Sequence, residues 1–264
     1  MENLLFPILA FCGMGLLVGV LLTIASKVFA VKSDEKAEAV LEALPGVNCG
    51  ACGYAGCSDY ANAVAAGAEV NLCKPGGRES ADKIAEIMGV SAGEIVPQVA
   101  VVRCLGDADG TAQKFDYKGV QSCAAANRFY SGSESCSFGC LGFGDCAKVC
   151  PEKAIEIKNR LAAIDKTRCI GCGMCVKACP DGIIMLRDVG KLYDVACKST
   201  SNGRDTRDIC KRGCIGCRIC EKNCPEKAIT VEDNLARINY EKCVNCGICA
   251  EKCPRKTILS CKTA

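Results

Sequence analysis

The chain has 264 residues, of which 26 are cysteine, and it contains no histidine and no tryptophan. The absence of histidine excludes Rieske centres, histidine-ligated haem, mixed cysteine–histidine zinc sites and histidine acid–base catalysis. The net charge of +3 gives no indication of nucleic-acid binding. Because the cysteines have metal-type spacings in a long chain, we expect thiolate ligands in a reducing compartment rather than disulfides.

The first predicted element is an apolar helix. Leu4 to Ser26 is a run of 23 residues without charge, and as a helix it would span about 34 Å, enough to cross a bilayer. A cleaved signal peptide would need a shorter apolar core after a basic start. Lys27 and Lys32 follow the run, so the positive-inside rule predicts a single-pass anchor in the cell (inner) membrane with the remaining chain in the cytoplasm.

A compact cysteine segment follows the anchor. Its four cysteines are Cys49, Cys52, Cys57 and Cys73. Glycines lie between the first three, and glycine permits the positive φ angles of a loop wrapped around a cluster. We therefore predict a self-contained [4Fe–4S] site. The accompanying elements are predicted as helices over 34–44 (capped by Ser33), over 58–66 and from a Ser80 cap to near Gly89, and a strand over Val99–Arg103.

The ligand pattern of bacterial ferredoxins then appears in three regular copies. These copies are Cys169–Cys172–Cys175–Cys179, Cys214–Cys217–Cys220–Cys224 and Cys243–Cys246–Cys249–Cys253, each followed by proline. In this pattern three thiolates bind one cubane, and the cysteine before proline binds the neighbouring cubane. Such an array carries single electrons.

These copies belong to a duplicated unit. Nine cysteines between Cys123 and Cys179 each recur 74 residues later, which indicates two tandem dicluster units. The mismatch is Phe143, at the position where the second unit has Cys217. We infer that Cys136 replaces the absent ligand.

The pattern thus predicts five [4Fe–4S] clusters. The four in the duplicated units are Cys136, Cys140, Cys146 with Cys179; Cys169, Cys172, Cys175 with Cys150; Cys214, Cys217, Cys220 with Cys253; and Cys243, Cys246, Cys249 with Cys224. Four further cysteines are either free buried thiols or the ligands of a sixth cluster: Cys104, Cys123, Cys197 and Cys210. Cys12 and Cys261 are left unassigned, and no catalytic residue is predicted.

The predicted fold class is α+β, with a single transmembrane helix, a small four-cysteine domain and two ferredoxin-like units. The predicted divisions are an anchor over 1–32, a four-cysteine domain over 33–95, a connecting segment over 96–130, unit 1 over 131–190 and unit 2 over 191–264.

This arrangement resembles the B subunits of Rnf complexes, and the segment Cys-Ser-Phe-Gly-Cys-Leu-Gly-Phe-Gly-Asp-Cys at 136–146 is especially similar. The resemblance covers nearly the whole chain and implies a component of an ion-translocating (Na⁺ or H⁺) ferredoxin:NAD⁺ oxidoreductase. It implies that soluble reduced ferredoxin delivers electrons, which pass inward to the Cys49 cluster and on to membrane and peripheral partner subunits. Flavins, the NAD site and the ion path would belong to those partners.

Three alternatives stay open on the residues alone. A polyferredoxin subunit of another membrane oxidoreductase would share every ligand. A structural zinc protein would use the same thiolates without redox chemistry. The Cys49 motif is also similar to one in corrinoid iron–sulfur proteins, but the chain has no room for their large corrinoid-binding domain.

Overall fold

A computed structural model of the chain describes residues 2–28 and 34–260, with the side chains of 8–26 and 34–260. It mixes short helices and short strands. The helices are α1 (Glu2–Val28), α2 (Glu35–Ala43), α3 (Cys57–Ala65), α4 (Gly77–Met88), α5 (Cys123–Asn127), α6 (Asp145–Lys148), α7 (Met174–Ala178), α8 (Gly203–Ile209), α9 (Ile219–Lys222) and α10 (Ile248–Lys252). The strands are β1 (Gln98–Val102), β2 (Ile155–Lys158), β3 (Leu161–Ile164), β4 (Ile184–Asp188), β5 (Tyr193–Val195), β6 (Ile229–Glu232), β7 (Leu235–Ile238) and β8 (Ile258–Ser260).

Helix α1 is long and apolar enough to cross a membrane. Its stretch Ile8–Ser26 has a mean hydropathy of 2.5, and none of it is buried against the described remainder of the chain. The side chains of Phe11 and Leu16 are 74% and 71% exposed. Apolar side chains presented all round a helix are stable in lipid rather than in water, so the predicted span coincides with a helix of suitable length and surface.

Helices α2, α3 and α4 form a small module around one apolar core. Val40, Tyr60, Val64 and Ile84 are fully buried at its centre. The Tyr60 hydroxyl donates to the Glu69 carbonyl at 2.8 Å and accepts from a backbone N–H, which satisfies its polar atom within the core.

Helices α2 and α3 form within one residue of the predicted bounds, but the predicted start of α4 and its cap were wrong. Ser80 lies inside the helix, which begins after Gly76. Asp34 caps α2, since its carboxylate accepts from the Lys36 N–H at 3.0 Å; Ser33 is outside the described residues. Gly89 follows the last residue of helix α4 as its C-cap, and its left-handed φ of 68° suits glycine.

The two ferredoxin-like units repeat one design. In unit 1, strands β2 and β3 form an antiparallel hairpin in which Ile155 pairs with Ile164. In unit 2, strands β6 and β7 pair Ile229 with Ile238. The second register equals the first shifted by 74 residues, so the duplication read from the cysteines extends to the backbone.

Both hairpins turn in two residues. The turn of unit 1 contains Asn159 and Arg160, and the turn of unit 2 contains Asp233 and Asn234; all four residues have positive φ. A type I′ turn requires positive φ at both central positions and favours asparagine or aspartate there. In each unit the hairpin lies between the two ligand helices in the sequence, and these helices contact each other: α6 contacts α7, and α9 contacts α10.

The segment predicted as a connection, 96–130, is integrated into the units. Strand β1 lies in this segment and pairs antiparallel with β4 of unit 1, with Ala100 opposite Leu186. Strand β5 pairs with β8 in the same way in unit 2. Among residues 34–260 the strands thus form four two-stranded sheets.

A buried polar network joins the two units. Arg187 in β4 and Asp194 in β5 form an ion pair at 2.7 Å, and their side chains are 2% and 7% exposed. The Tyr240 hydroxyl donates to the other Asp194 oxygen at 2.5 Å. Burial, followed by the hydrogen bond to Asp194, raises the pKa of Tyr240, so the hydroxyl stays protonated as a donor.

Candidate iron–sulfur centres

Cysteine side chains surround six places in the described part of the chain. Five are cavities of about 340 to 470 Å³, each lined by at least four cysteines. The sixth is the loop of the N-terminal module. We name the groups N set (Cys49, Cys52, Cys57, Cys73), set A (Cys123, Cys140, Cys146, Cys179), set B (Cys150, Cys169, Cys172, Cys175), bridging set (Cys104, Cys136, Cys197, Cys210), set C (Cys214, Cys217, Cys220, Cys253) and set D (Cys224, Cys243, Cys246, Cys249).

The N set lies at the edge of the N-terminal core. Burial raises the pKa of the Cys73 thiol, and the charges of the other three cysteines of the set raise it further. Asn48 shapes the loop, because its side-chain oxygen accepts from the Cys57 N–H at 2.8 Å. Gly50 and Gly53 have φ of 65° and 92°, which lets the loop fold around its thiols without steric cost.

The structure groups sets B, C and D as the ligand pattern predicts. In each, three cysteines at the motif spacing meet the cysteine before proline of the other motif in the same unit. Burial raises the pKa of the thiol in the ligand helix to about 11 for Cys175, about 12 for Cys220 and about 11 for Cys249. Cys217 and Cys246 are solvent-exposed.

Two cysteines are exchanged relative to the prediction. Cys136 was expected beside Cys140 and Cys146, and Cys123 beside Cys197. The structure places Cys123 in the cavity of set A and Cys136 in the cavity of the bridging set. The 24 cysteines considered as ligands are unchanged, but their partition into sets differs.

Contacts of helix α5 explain the position of Cys123. Ser122 caps α5, and its hydroxyl donates to Asp145 at 2.7 Å. Asp145 begins α6, the ligand helix of set A, and it also accepts from a backbone N–H of α5 at 3.0 Å. At the other end of α5, Asn127 donates to Asp181 at 2.6 Å. Both ends of α5 are therefore hydrogen-bonded to residues close in sequence to ligands of set A, and Cys123 lines the cavity of that set.

Phe143 occupies the position of the missing motif ligand. Its ring packs edge-on against Tyr117 with centroids 5.5 Å apart. Leu141 and Ala126 are buried in the same small apolar cluster as Cys123. The segment before unit 1 therefore packs over this position and supplies the fourth thiol from α5.

Cys136 is directed to the other cavity by two backbone bridges. Thr111 pairs with Cys210 on one side, while Gln113 pairs with Glu134 on the other. The segment 111–113 precedes unit 1 in the sequence, and its two bridges reach Glu134 of unit 1 and Cys210 of unit 2. It thereby holds Cys136 and Cys210 at the same cavity. Burial raises the pKa of the Cys136 thiol to about 11, and the charges of Cys197 and Cys210 raise it further.

The bridging set has a cationic lining. Arg103, Lys198 and Arg212 border its cavity, and Arg103 donates to the Cys197 carbonyl at 3.3 Å. Burial raises the pKa of the Cys104 thiol to about 12. An iron centre would need this thiol deprotonated. The three cationic side chains of the lining outnumber its one carboxylate, Glu134, and nearby positive charge favours the anionic form of a thiol.

The thiols of the six sets fit iron–sulfur clusters. Backbone N–H groups donate to the sulfur atoms of cysteines before proline, as Ala154 does to Cys150 and Ala228 to Cys224, both at 3.3 Å. Hydrogen bonds to sulfur are a feature of cluster ligation.

Two cysteines lie outside these sets. Cys12 is exposed on helix α1, and Cys261 lies outside the described residues. Five ligand candidates have no regular motif around them: Cys104, Cys123, Cys136, Cys197 and Cys210. The sequence analysis names all five as candidates, but the spacing does not determine which of Cys123 and Cys136 belongs to which set.

Three protein-family models match the chain. One, described as "Putative Fe-S cluster", matches residues 44–75. Two, both described as a 4Fe-4S dicluster domain, match residues 131–189 and 213–257. Four candidate ligands fall outside these matched ranges: Cys104, Cys123, Cys197 and Cys210.

Three curated relatives are similar over most of their length, and each is the B subunit of its complex. The relative from the proton-translocating ferredoxin:NAD(+) oxidoreductase complex of Clostridium ljungdahlii is 44% identical over 90% of this chain and 85% of its own. The relative from the Na(+)-translocating ferredoxin:NAD(+) oxidoreductase complex of Acetobacterium woodii is 41% identical over 92% and 73%. The relative from the ion-translocating oxidoreductase complex of Methanosarcina acetivorans is 40% identical over 90% and 91%.

Proposed function

Since the chain belongs to the family of B subunits of Rnf-type ion-translocating oxidoreductase complexes, we propose that it is the membrane-anchored electron carrier of such a complex. Its donor is reduced ferredoxin, and its acceptors are flavin and iron–sulfur groups of partner subunits. The observation that carries this proposal is the assembly of 24 cysteines into six four-thiol sets behind one apolar helix.

Each set would hold one [4Fe–4S] cluster, which supplies reversible one-electron chemistry when bound. The chain contributes thiolates, backbone N–H donors to sulfur, and a cavity wall that limits water. Sets N, B, C and D follow the motif assignment; set A takes Cys123, and the bridging set takes Cys136. We therefore propose six clusters in total, five that the regular and altered motifs predict and a sixth in the bridging set.

The chain's own residues supply no ion path. The span Ile8–Ser26 contains no charged residue, and a proton or sodium relay needs ionisable groups inside the membrane. Ion transport in the complex is therefore assigned to partner subunits. Lys27 and Lys32 after the span support a cytoplasmic position for the cysteine sets.

The test is anaerobic reduction of the purified full-length chain in detergent. We expect reduced ferredoxin to bleach the visible absorbance of the chain and to produce EPR signals of reduced [4Fe–4S] clusters. A Cys12→Ala variant is the matched control, because that residue lies outside every set. Zinc in place of iron, or an iron protein that reduced ferredoxin fails to reduce, would overturn the proposal.

A further inference from the structure

We propose that the six cysteine sets form one unbranched line in the order D, C, bridging, A, B, N, in which the bridging set connects the two sets of unit 2 with the two sets of unit 1. This inference rests on the proposed function, because it takes each set to hold a cluster. One electron then enters at set D from the reduced donor and one leaves at the N set; no bond is made or broken along the line.

The N set adjoins set B. Lys177 in α7 donates from its Nζ to the Cys49 carbonyl at 3.1 Å, and the same ammonium group lies close to Gly50. Helix α7 also carries Cys175 of set B, so this contact places the loop of the N set against the ligand helix of set B.

Sets B and A are joined through two short helices. Helix α6 carries Cys146 of set A, and Cys150 of set B follows two residues after its end. Helix α7 carries Cys175 of set B, and Cys179 of set A follows at once. The helices contact each other, and each helix, with the residues that follow it, supplies ligands to both sets. Sets C and D are joined in the same way through α9 and α10.

The bridging set contacts one set of each unit. On the side of unit 1, the Cys140 N–H of set A donates to the Cys104 sulfur at 3.4 Å. On the side of unit 2, Gly213 lines the bridging cavity and directly precedes Cys214 of set C. Arg255, which lines the cavity of set C, donates to the carbonyl of Cys210 in the bridging set. The bridging set therefore adjoins set A on one side and set C on the other.

The two ends of the line differ in a way that the duplication makes visible. Cys172 of set B and Cys246 of set D occupy equivalent positions 74 residues apart, yet Cys172 is buried and Cys246 is exposed to solvent. Lys177, which holds the N-terminal module, is replaced by Glu251 in the second unit. Val244 beside set D is 61% exposed. The position covered by the N-terminal module in unit 1 is thus open in unit 2, where a soluble one-electron donor can approach.

The experiment follows the N set after mixing with reduced ferredoxin. The full-length chain is frozen at successive times, and EPR records the signal that is absent from a Cys52→Ala variant. In Cys136→Ala, which interrupts the line, we expect this signal to appear at least tenfold more slowly than in the wild-type chain. Cys12→Ala should match the wild type. An N-set signal that appears at the wild-type rate in Cys136→Ala would overturn the order.

Dithionite separates a broken line from a damaged protein. This small reductant reaches every set directly, so it should produce the N-set signal in Cys136→Ala as fast as in the wild type. Cys104→Ser interrupts the same set from the other side and should behave alike. If dithionite also fails to produce the N-set signal, the variant has lost the N-set cluster. The order is then decided by spin relaxation in Cys172→Ala and Cys246→Ala.

Spin relaxation tests the order without any protein donor. In the dithionite-reduced chain, a paramagnetic neighbour speeds the relaxation of the N-set signal. Cys172→Ala should slow this relaxation, while Cys246→Ala at the far end should leave it unchanged. A change in Cys246→Ala, or none in Cys172→Ala, would overturn the order. Ferredoxin that reduces no set of the wild-type chain would instead overturn the proposed function, and these relaxation results would still decide the order.

Discussion

The ion pair between Arg187 and Asp194 allows a quantitative test of how the two ferredoxin-like units are held together. Asp194→Asn keeps the shape of the side chain but removes its charge, and it leaves a guanidinium that is 2% exposed without its partner. Removal of one member of a buried ion pair costs about 3–5 kcal/mol, because the remaining charge stays buried. The Tyr240 hydroxyl loses its charged acceptor as well.

For a chain of this size, such a loss lowers the thermal midpoint by roughly 6–20 °C, at about 2–4 °C per kcal/mol. Circular dichroism of the anaerobic protein at one fixed heating rate measures it. Asp82→Asn is the matched control, because Asp82 pairs with Arg78 where both side chains are more than half exposed, and exposed pairs contribute little. An Asp194→Asn midpoint within the range of the control would refute the assigned role of the network.

Two further predictions concern unit 1. Cys123→Ala should remove about four iron atoms per chain and the EPR signal of set A, measured by metal analysis and reductive titration, whereas equal iron in Cys123→Ala and Cys12→Ala would contradict the ligand exchange. Gly142→Ala should destabilise unit 1 by about 1–3 kcal/mol, because the glycine has φ of 78° and an added Cβ would lie 2.7 Å from the Arg160 carbonyl oxygen. The control is Gly190→Ala, which has open space around the added Cβ and should unfold at the same denaturant concentration as the wild type. Similar denaturation midpoints for the two variants would contradict this prediction.

Regular spacing made the greater part of the centres predictable. In sets B, C and D three of the four ligands lie three residues apart on one loop and helix, so the local backbone conformation brings these three together. The duplication was also readable, because a shift of 74 residues preserves both cysteines and hairpins. The structure groups these cysteines as the sequence predicted, and their role as iron ligands stays a prediction.

The exchange of Cys123 and Cys136 depends on contacts that spacing does not encode. The hydrogen bond between Ser122 and Asp145 joins residues 23 apart in the sequence, and the Thr111–Cys210 bridge joins the segment before unit 1 to unit 2. Each contact depends on the folded arrangement of its partners, so local pattern could not choose between the two cysteines. The cap at Ser80 failed for a simpler reason, because the helix had already begun at Gly77.

If each of the six four-thiol sets holds one [4Fe–4S] cluster, the anaerobically purified full-length chain should contain about 24 iron and about 24 acid-labile sulfide, four of each for every set. Chemical analysis of iron and sulfide measures this directly. About 20 of each would remove the bridging centre, and with it the proposed connection between the sets of the two units. Zinc in place of iron would contradict the assignment of all six sets.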